Sequence, residues 1–311
     1  MDLPLGYELR TPQEEEIEAI TAVVVADELD HTGHVTLGGD FVNGEWSQPG
    51  FDSCTDAWVV TDGGATVVAY GHTRREELQV VFSWAAVHPQ HRGLGIGTAL
   101  FSHIASRAAA MLAAQPVRTL RHAAYAHDRG AAAILSAAGL ERVRHFWHMQ
   151  IDFDGPVGPG DVPQGYEITT VDSPEDLQAT FEVINEALAE NWDYHTTTFE
   201  RWLGEEIATP GHDPGLWLLA TRDGVAVGAL TASLGEGRGW IDYLGVREEH
   251  RGRGVAAALL RHGFAGFSAR GAKAGLVSVD AANAARATAV YQRAGMREVK
   301  AWDMWQANLR R

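Results

Sequence analysis

The sequence predicts an α+β protein made of two tandem copies of one domain, each a mixed, mostly antiparallel sheet flanked by helices. Three observations carry this reading. First, the chain repeats itself. Gly6-Tyr7-Glu8 returns as Gly165-Tyr166-Glu167, 159 positions on, and Val87–Leu100 (VHPQHRGLGIGTAL) returns as Val246–Leu259 (VREEHRGRGVAAAL) at the same offset. Ile134–Leu140 then matches Val290–Met296, and Trp147-His148-Met149 echoes Trp302-Asp303-Met304. Second, each copy carries short apolar runs punctuated by Asp-Gly turns, the signature of hairpins. Third, each glycine-rich turn opens an alanine-rich stretch of helical length.

The elements follow in order. A short strand, Tyr7–Arg10 or Tyr166–Thr170, leads into helical segments. In copy two a helix is expected to start at Ser173-Pro174, an N-cap residue followed by proline at the first helical position. Strands are expected at DAWVVTD, ATVVAYGHT and LQVVFSWAAV in copy one, and at LWLLATRDG, AVGALTASL and GWIDYLGV in copy two, with turns at Asp62-Gly63-Gly64 and Asp223-Gly224. After the glycine turn come a helix, a strand (TLRHAAYA; AGLVSVD), a second helix and a last strand. Between the copies the Gly- and Pro-dense run after Asp152 reads as a linker. The expected division is 1–153, linker 154–165, and 166–311.

Composition narrows the function. The 311 residues carry a formal net charge of -16, which disfavours nucleic acid and anionic membranes as partners. It suits a cationic ligand. The single cysteine, Cys54, excludes an intrachain disulfide. No run approaches a membrane span, and the N-terminus lacks the basic and apolar regions of a secretory signal. A cytoplasmic monomer or homodimer is expected, with no metal site.

The two turns are Arg92-Gly93-Leu94-Gly95-Ile96-Gly97-Thr98 and Arg251-Gly252-Arg253-Gly254-Val255-Ala256-Ala257. Glycine lets the backbone turn tightly and approach a ligand, and the arginine that opens each motif, Arg92 or Arg251, is expected to add positive charge there. The first helical turn leaves amides without internal partners at the positive end of the helix dipole, an anion site suited to a diphosphate. A ligand-free strand-to-helix turn would look the same. A dinucleotide fingerprint would sit near the start of a βαβ unit with an acid about 20 residues on; here the turn follows several strands.

Both turns fit the Arg/Gln-x-x-Gly-x-Gly/Ala motif, and on that basis the chain resembles the GNAT acetyltransferase family over nearly its whole length, as two family domains. The resemblance implies acetyl-CoA as cofactor, its diphosphate held by the turn amides. It implies that the strand before each turn, through Ala85, Ala86 and Val87 or Leu244, Gly245 and Val246, pairs with the pantetheine arm. It places Asn283 near the cofactor, one position before the family's usual asparagine. It also implies that Tyr291 donates a proton to the leaving thiolate and that Asp242 is the base that frees the attacking amine. Read from the residues alone, Tyr291 could equally pack the core, and Asp242 could face solvent at a strand edge.

Copy one has Leu135 where Tyr291 stands and Ser83 where Asp242 stands. Copy two is therefore expected to catalyse, and copy one to bind cofactor or serve as scaffold. The acceptor is expected to be a small primary amine, of the cationic antibiotic or amino-sugar kind, held by Glu190, Trp192, Asp193, Tyr194 and Trp240. These aromatic residues could also simply pack the helical layer. Trp240 and Asp242, two apart on a strand, are expected to share a face.

Overall fold

The computed structural model describes the chain except residues 1, 2, 49, 190, 193, 195, 196, 209, 210, 236, 310 and 311, and except the side chains of residues 40 and 283–287. The elements are, in order, β1 (Glu8–Arg10), α1 (Ile17–Thr32), α2 (Gly39–Trp46), α3 (Ser53–Asp56), β2 (Ala57–Thr61), β3 (Val67–Glu77), β4 (Val80–Val87), α4 (Ile96–Met111), β5 (Thr119–Tyr125), α5 (Arg129–Ala137) and β6 (Glu141–Asp152). Then come β7 (Glu167–Thr170), α6 (Pro174–Leu188), α7 (Phe199–Ala208), β8 (Leu218–Arg222), β9 (Val225–Gly235), β10 (Arg238–Val246), α8 (Val255–Ala269), β11 (Ala274–Asp280), α9 (Ala284–Arg293) and β12 (Arg297–Asn308).

The chain forms two compact units, but not at the expected boundary. Unit 1 comprises Met1–Phe146 with Lys300–Arg311; unit 2 comprises Trp147–Val299. In unit 1 the strand order is β1-β2-β3-β4-β5-β12, and β12 pairs antiparallel with β5 from Trp302↔Tyr125 to Asn308↔Thr119. In unit 2 the order is β6-β11-β10-β9-β8-β7. The last strands of the two copies are thus exchanged. Both carry the same Trp-x-Met pattern, so either can fill the place of the other, the condition under which swapping costs little. Met149 accordingly packs in the core of unit 2 and Trp305 in that of unit 1.

Local signals act as expected. Ser173 caps α6: its hydroxyl accepts the Asp176 amide at 3.0 Å, while the Asp176 carboxylate accepts the Ser173 amide at 3.3 Å, a reciprocal capping box. Asp223 and Gly224 both have positive φ, 51° and 76°, and join Arg222 to Val225 as the tight hairpin that the twist of the flanking strands favours. The run 154–165 is no free tether. It belongs to unit 2, where Val157 donates its amide to Ser268 Oγ at 3.1 Å and, with Val162, packs against the core. No helix among the described residues is long and apolar enough to cross a membrane.

Candidate active site

In unit 2, β10 pairs in parallel with β11 from Arg238↔Ala274 to Ile241↔Val277, and there the pairing ends. β10 continues to Val246, still paired with β9 on its other edge. The two strands therefore part, leaving a slot. Arg247 donates its amide to Val227 of β9 at 2.9 Å. Amide directions alternate along a strand, so the Val246 and Leu244 amides face the slot. Unpaired backbone of this kind calls for a partner.

The slot leads to the glycine turn. Gly252 (φ 73°) and Gly254 (φ 86°) are both left-handed, and a Cβ at Gly252 would meet nothing within 4 Å. The first helical bond of α8 runs from the Ala258 amide to Gly254 O at 3.0 Å, so the amides of Val255, Ala256 and Ala257 remain for a ligand. The arginine does not join them. Arg251 Nε donates to Val246 O at 2.9 Å and its guanidinium reaches Ala187 O at 3.4 Å, so it braces the strand end against α6. Arg251 therefore positions the strand end, and carbonyl partners leave its charge beside the turn. The repeated Gly-Tyr-Glu also finds its purpose here: the Tyr166 hydroxyl bonds His250 Nδ1 at 3.0 Å, just before the turn.

Tyr291, on α9, is buried among Val255, Leu259 and Val277, and burial pushes its pKa up to about 12. Its hydroxyl keeps its proton at neutral pH and makes no hydrogen bond to a described residue. Asp242 interrupts the β9–β10 ladder: Ile241 pairs with Ala232 and Tyr243 with Thr231, leaving Asp242 as the extra residue of a bulge. Trp240 stands opposite Ser233, whose hydroxyl bonds Asp242, so Trp240 and Asp242 lie on one face as expected; the bulge breaks the alternation after Asp242 and turns Tyr243 onto that face as well. Trp240 stands edge-on to His148 of β6, ring centroids 5.4 Å apart. Asp242 accepts a bond from Ser233 Oγ at 3.1 Å and reaches solvent, yet the surrounding walls desolvate it. That desolvation, partly offset by Ser233, raises its pKa to about 6.

One residue escaped the sequence reading. On α7, Phe199, Trp202, Leu203 and Glu206 follow the i, i+3, i+4, i+7 stripe that faces inward. A carboxylate on an apolar stripe was the signal. Glu206 is 8% exposed, and desolvation first, then the neighbouring charges of Asp242 and Glu205, push its pKa up to about 8. Tyr194 donates its hydroxyl to Asn185 Oδ1 of α6 at 3.2 Å. Burial and the charge of Glu206 raise the pKa of Tyr194. Trp192 is half-buried. Glu190, Asp193 and the side chain of Asn283 lie outside the described residues.

Unit 1 repeats the turn with other side chains at the two equivalent positions. β4 and β5 pair from Val80↔Thr119 to Ser83↔His122 and then part. Gly93 (φ 76°) and Gly95 (φ 85°) open α4, whose first backbone bond runs from the Ala99 amide to Gly95 O at 3.1 Å. The amides of Ile96, Gly97 and Thr98 are thus outside the helical ladder. Arg92, unlike Arg251, is tied to Asp27 at 2.7 Å and Asp30 at 2.6 Å, so the positive charge expected of it at the turn is offset. Asp27 also accepts the slot-side amide of Val87. The Ser83 hydroxyl donates to Arg121 O at 2.8 Å and lies 2.8 Å from His122 Nδ1, while Leu135 is 1% exposed core.

An anion-binding turn that continues into an open strand edge suits one kind of donor, a long flexible arm ending in a diphosphate, as in coenzyme A thioesters. Comparison with known proteins agrees. Residues 177–296 match the acetyltransferase (GNAT) family model and residues 54–135 an acetyltransferase (GNAT) domain model. The chain is 32% identical over 256 residues to the mycothiol acetyltransferase of Beutenbergia cavernae, covering 78% of this chain and 80% of that one. A GCN5-related N-acetyltransferase from Sphaerobacter thermophilus superposes with a TM-score of 0.86 at 30% identity, over 100% of this chain and 98% of that one. A tandem GNAT protein from the clavulanic acid biosynthesis pathway shares the fold, with a TM-score of 0.70 at 20% identity over 97% and 98% of the two chains. The chain belongs to the GNAT acetyltransferase family and is an acetyl-CoA-dependent N-acyltransferase.

Proposed function

We propose that unit 2 performs the transfer and that its acceptor is the primary amine of a small molecule, of the cationic antibiotic or amino-sugar kind. The observation that carries this is the pairing of Asp242 and Tyr291 in unit 2 against Ser83 and Leu135 in unit 1. Acetyl-CoA, when bound, supplies the acetyl group as a thioester. The amides of Gly252–Ala257 would hold its diphosphate, and the β10 edge from Leu244 to Val246 its pantetheine arm.

The chain's own residues then manage protons. An alkylammonium has a pKa near ~10 and cannot attack while protonated. Asp242, with a pKa of about 6, is ionised at neutral pH and takes the proton. Tyr291 retains its own proton at neutral pH and is the donor on the leaving side. In unit 1 the turn amides and the Ala85–Val87 edge serve a second coenzyme A site or a scaffold, with Val87's amide already committed to Asp27.

A second reading, mycothiol acetyltransferase, is favoured by the sequence relatives of that name. Thiol release from acetyl-CoA, measured across a panel of cationic amines, amino sugars and the mycothiol precursor, separates the two. Release confined to the precursor selects the second. No release with any amine, alongside tight coenzyme A binding, would leave a non-catalytic coenzyme A-binding protein.

A further inference from the structure

The placement of Glu206 has no structural justification. It is more than nine-tenths buried, and it makes no hydrogen bond or ion pair with any described residue. Its nearest charged neighbours are carboxylates, Asp242 of β10 and Glu205 of its own helix. Among the described residues, tyrosines 194 and 243 also interact with it, and both are neutral at physiological pH. Burying an unpaired carboxyl beside another acid costs stability. Of the named neighbours, none carries positive charge. The helical stripe fixes its direction: Trp202, one turn earlier, packs against Trp217 and Phe181, so α7 cannot rotate to release Glu206.

We infer that Glu206 and Asp242 together form a cation-binding site for the acceptor, one that admits amines as ammonium ions and rejects alcohols and amides of the same shape. The inference rests on the reading of unit 2 as the acceptor half. With the site empty, Glu206 holds a proton and avoids repulsion from Asp242. An entering ammonium supplies the missing positive charge, and Glu206 releases its proton to solvent. The bound cation then lies between two carboxylates. Asp242, exposed at the bulge, takes the amine's proton; Glu206, the more deeply buried of the two, stays ionised and fixes the nitrogen in place. Charge balances: one proton leaves on binding, and the transfer itself ends with amide, free thiol and one further proton. Glu206 is a specificity-determining residue, not the base.

Matched probe pairs test this without any transfer. 1,3-Diaminopropane and glucosamine are titrated into the full chain calorimetrically, in two buffers of different ionisation enthalpy, beside 1,3-propanediol and glucose. Wild type is expected to bind the amines, release a fraction of a proton at pH 7, and ignore the neutral partners. Glu206→Gln is expected to bind the amines at least tenfold more weakly with no proton release. It is also expected to melt higher than wild type. An acid whose folded pKa lies above its unfolded value weakens the fold as pH rises between the two. The gain is therefore small near pH 4 and largest above pH 8, about 4 °C or more. Equal amine affinity in Glu206→Gln, a lower melting point, or no amine binding to wild type overturns the inference. If the proton-linked binding is present but no amine supports thiol release, the proposed function falls and the cation site stands.

Discussion

In unit 1, β4 runs against β3 without interruption from Val81 to Val87; in unit 2, β10 runs against β9 only by skipping Asp242. Otherwise the two turns agree closely. The paired glycines have φ values within a few degrees of each other, and both arginines bond the strand carbonyl five residues back. Both Gly-Tyr-Glu tyrosines brace the histidine before the turn, at 2.9 and 3.0 Å. The difference shows how each function is encoded. Gripping a diphosphate depends on backbone shape, which several glycines and braces specify together. Proton handling, as proposed, depends on one side chain at each of two positions. Here an aspartate in place of a serine and a tyrosine in place of a leucine separate the two halves.

The sharpest way to break this comparison is to remove the two proposed proton carriers. Asp242→Asn and Tyr291→Phe are each expected to lower kcat by about 10²- to 10⁴-fold. Ser83→Ala and Leu135→Ala in unit 1 should leave the rate per folded molecule unchanged. In wild type, kcat/KM should rise with pH through about 6 as Asp242 loses its proton, and that limb should vanish in Asp242→Asn. Steady-state thiol release across pH measures both. Full activity in Tyr291→Phe would reverse the assignment of the halves.

A comparable free energy is expected where unit 1 invests in structure. Lys300 Nζ lies 2.8 Å from Glu28 and 2.9 Å from Thr36, all three buried. Burial alone would raise the Glu28 pKa, but the charge of Lys300 and its bonds outweigh that and hold it below the ordinary carboxylate range. A depressed acid contributes stability above its unfolded pKa and loses it as pH falls through the folded one. Lys300→Met leaves the carboxylate buried without its cation, a loss of about 3–5 kcal/mol. Calorimetric melting should show unit 1 unfolding first, and the deficit should shrink on acidification.

Smaller still is the effect of a side chain at the turns. A left-handed conformation costs a non-glycine residue about 1–2 kcal/mol. Gly254→Val should therefore raise KM for acetyl-CoA about tenfold with little change in kcat. Gly95→Val should leave turnover alone and alter only the stoichiometry of coenzyme A binding. Equal kinetic effects from both would mean that both units serve the reaction.

Much of this was legible in the residues. The repeat, the strand runs and the glycine turns report local geometry, and local geometry is what a sequence encodes most directly. Three features were not legible. The exchange of β6 and β12 depends on two strands carrying interchangeable patterns, so nothing in either pattern says which sheet it joins. The bulge at Asp242 exists only relative to β9, and an alternation count along β10 places Tyr243 on the face opposite Trp240 and Asp242, where the structure puts all three together. Glu206 was readable in principle, because it continues the Phe199–Trp202–Leu203 stripe, but the polar composition of α7 hides it.

The smallest effect concerns the helix that carries part of the unit 2 site. α6 bears Asn185, which receives the Tyr194 hydroxyl, and Ala187, whose carbonyl receives Arg251. Both lie in its last turn, while Ser173 caps the first. Ser173→Ala removes one half of the capping box and costs about 1 kcal/mol. That lowers the melting temperature of unit 2 by about 2–4 °C. Fraying at the first turn is separated from Asn185 by the buried Thr180, Phe181, Val183 and Ile184, so kcat and both KM values should stay at wild-type levels. In unit 1, α1 likewise supplies Asp27 and Asp30 to Arg92 from well beyond its first turn. A fall in turnover with Ser173→Ala, matched to the loss in melting temperature, would show that α6 moves as one rigid lever from cap to site.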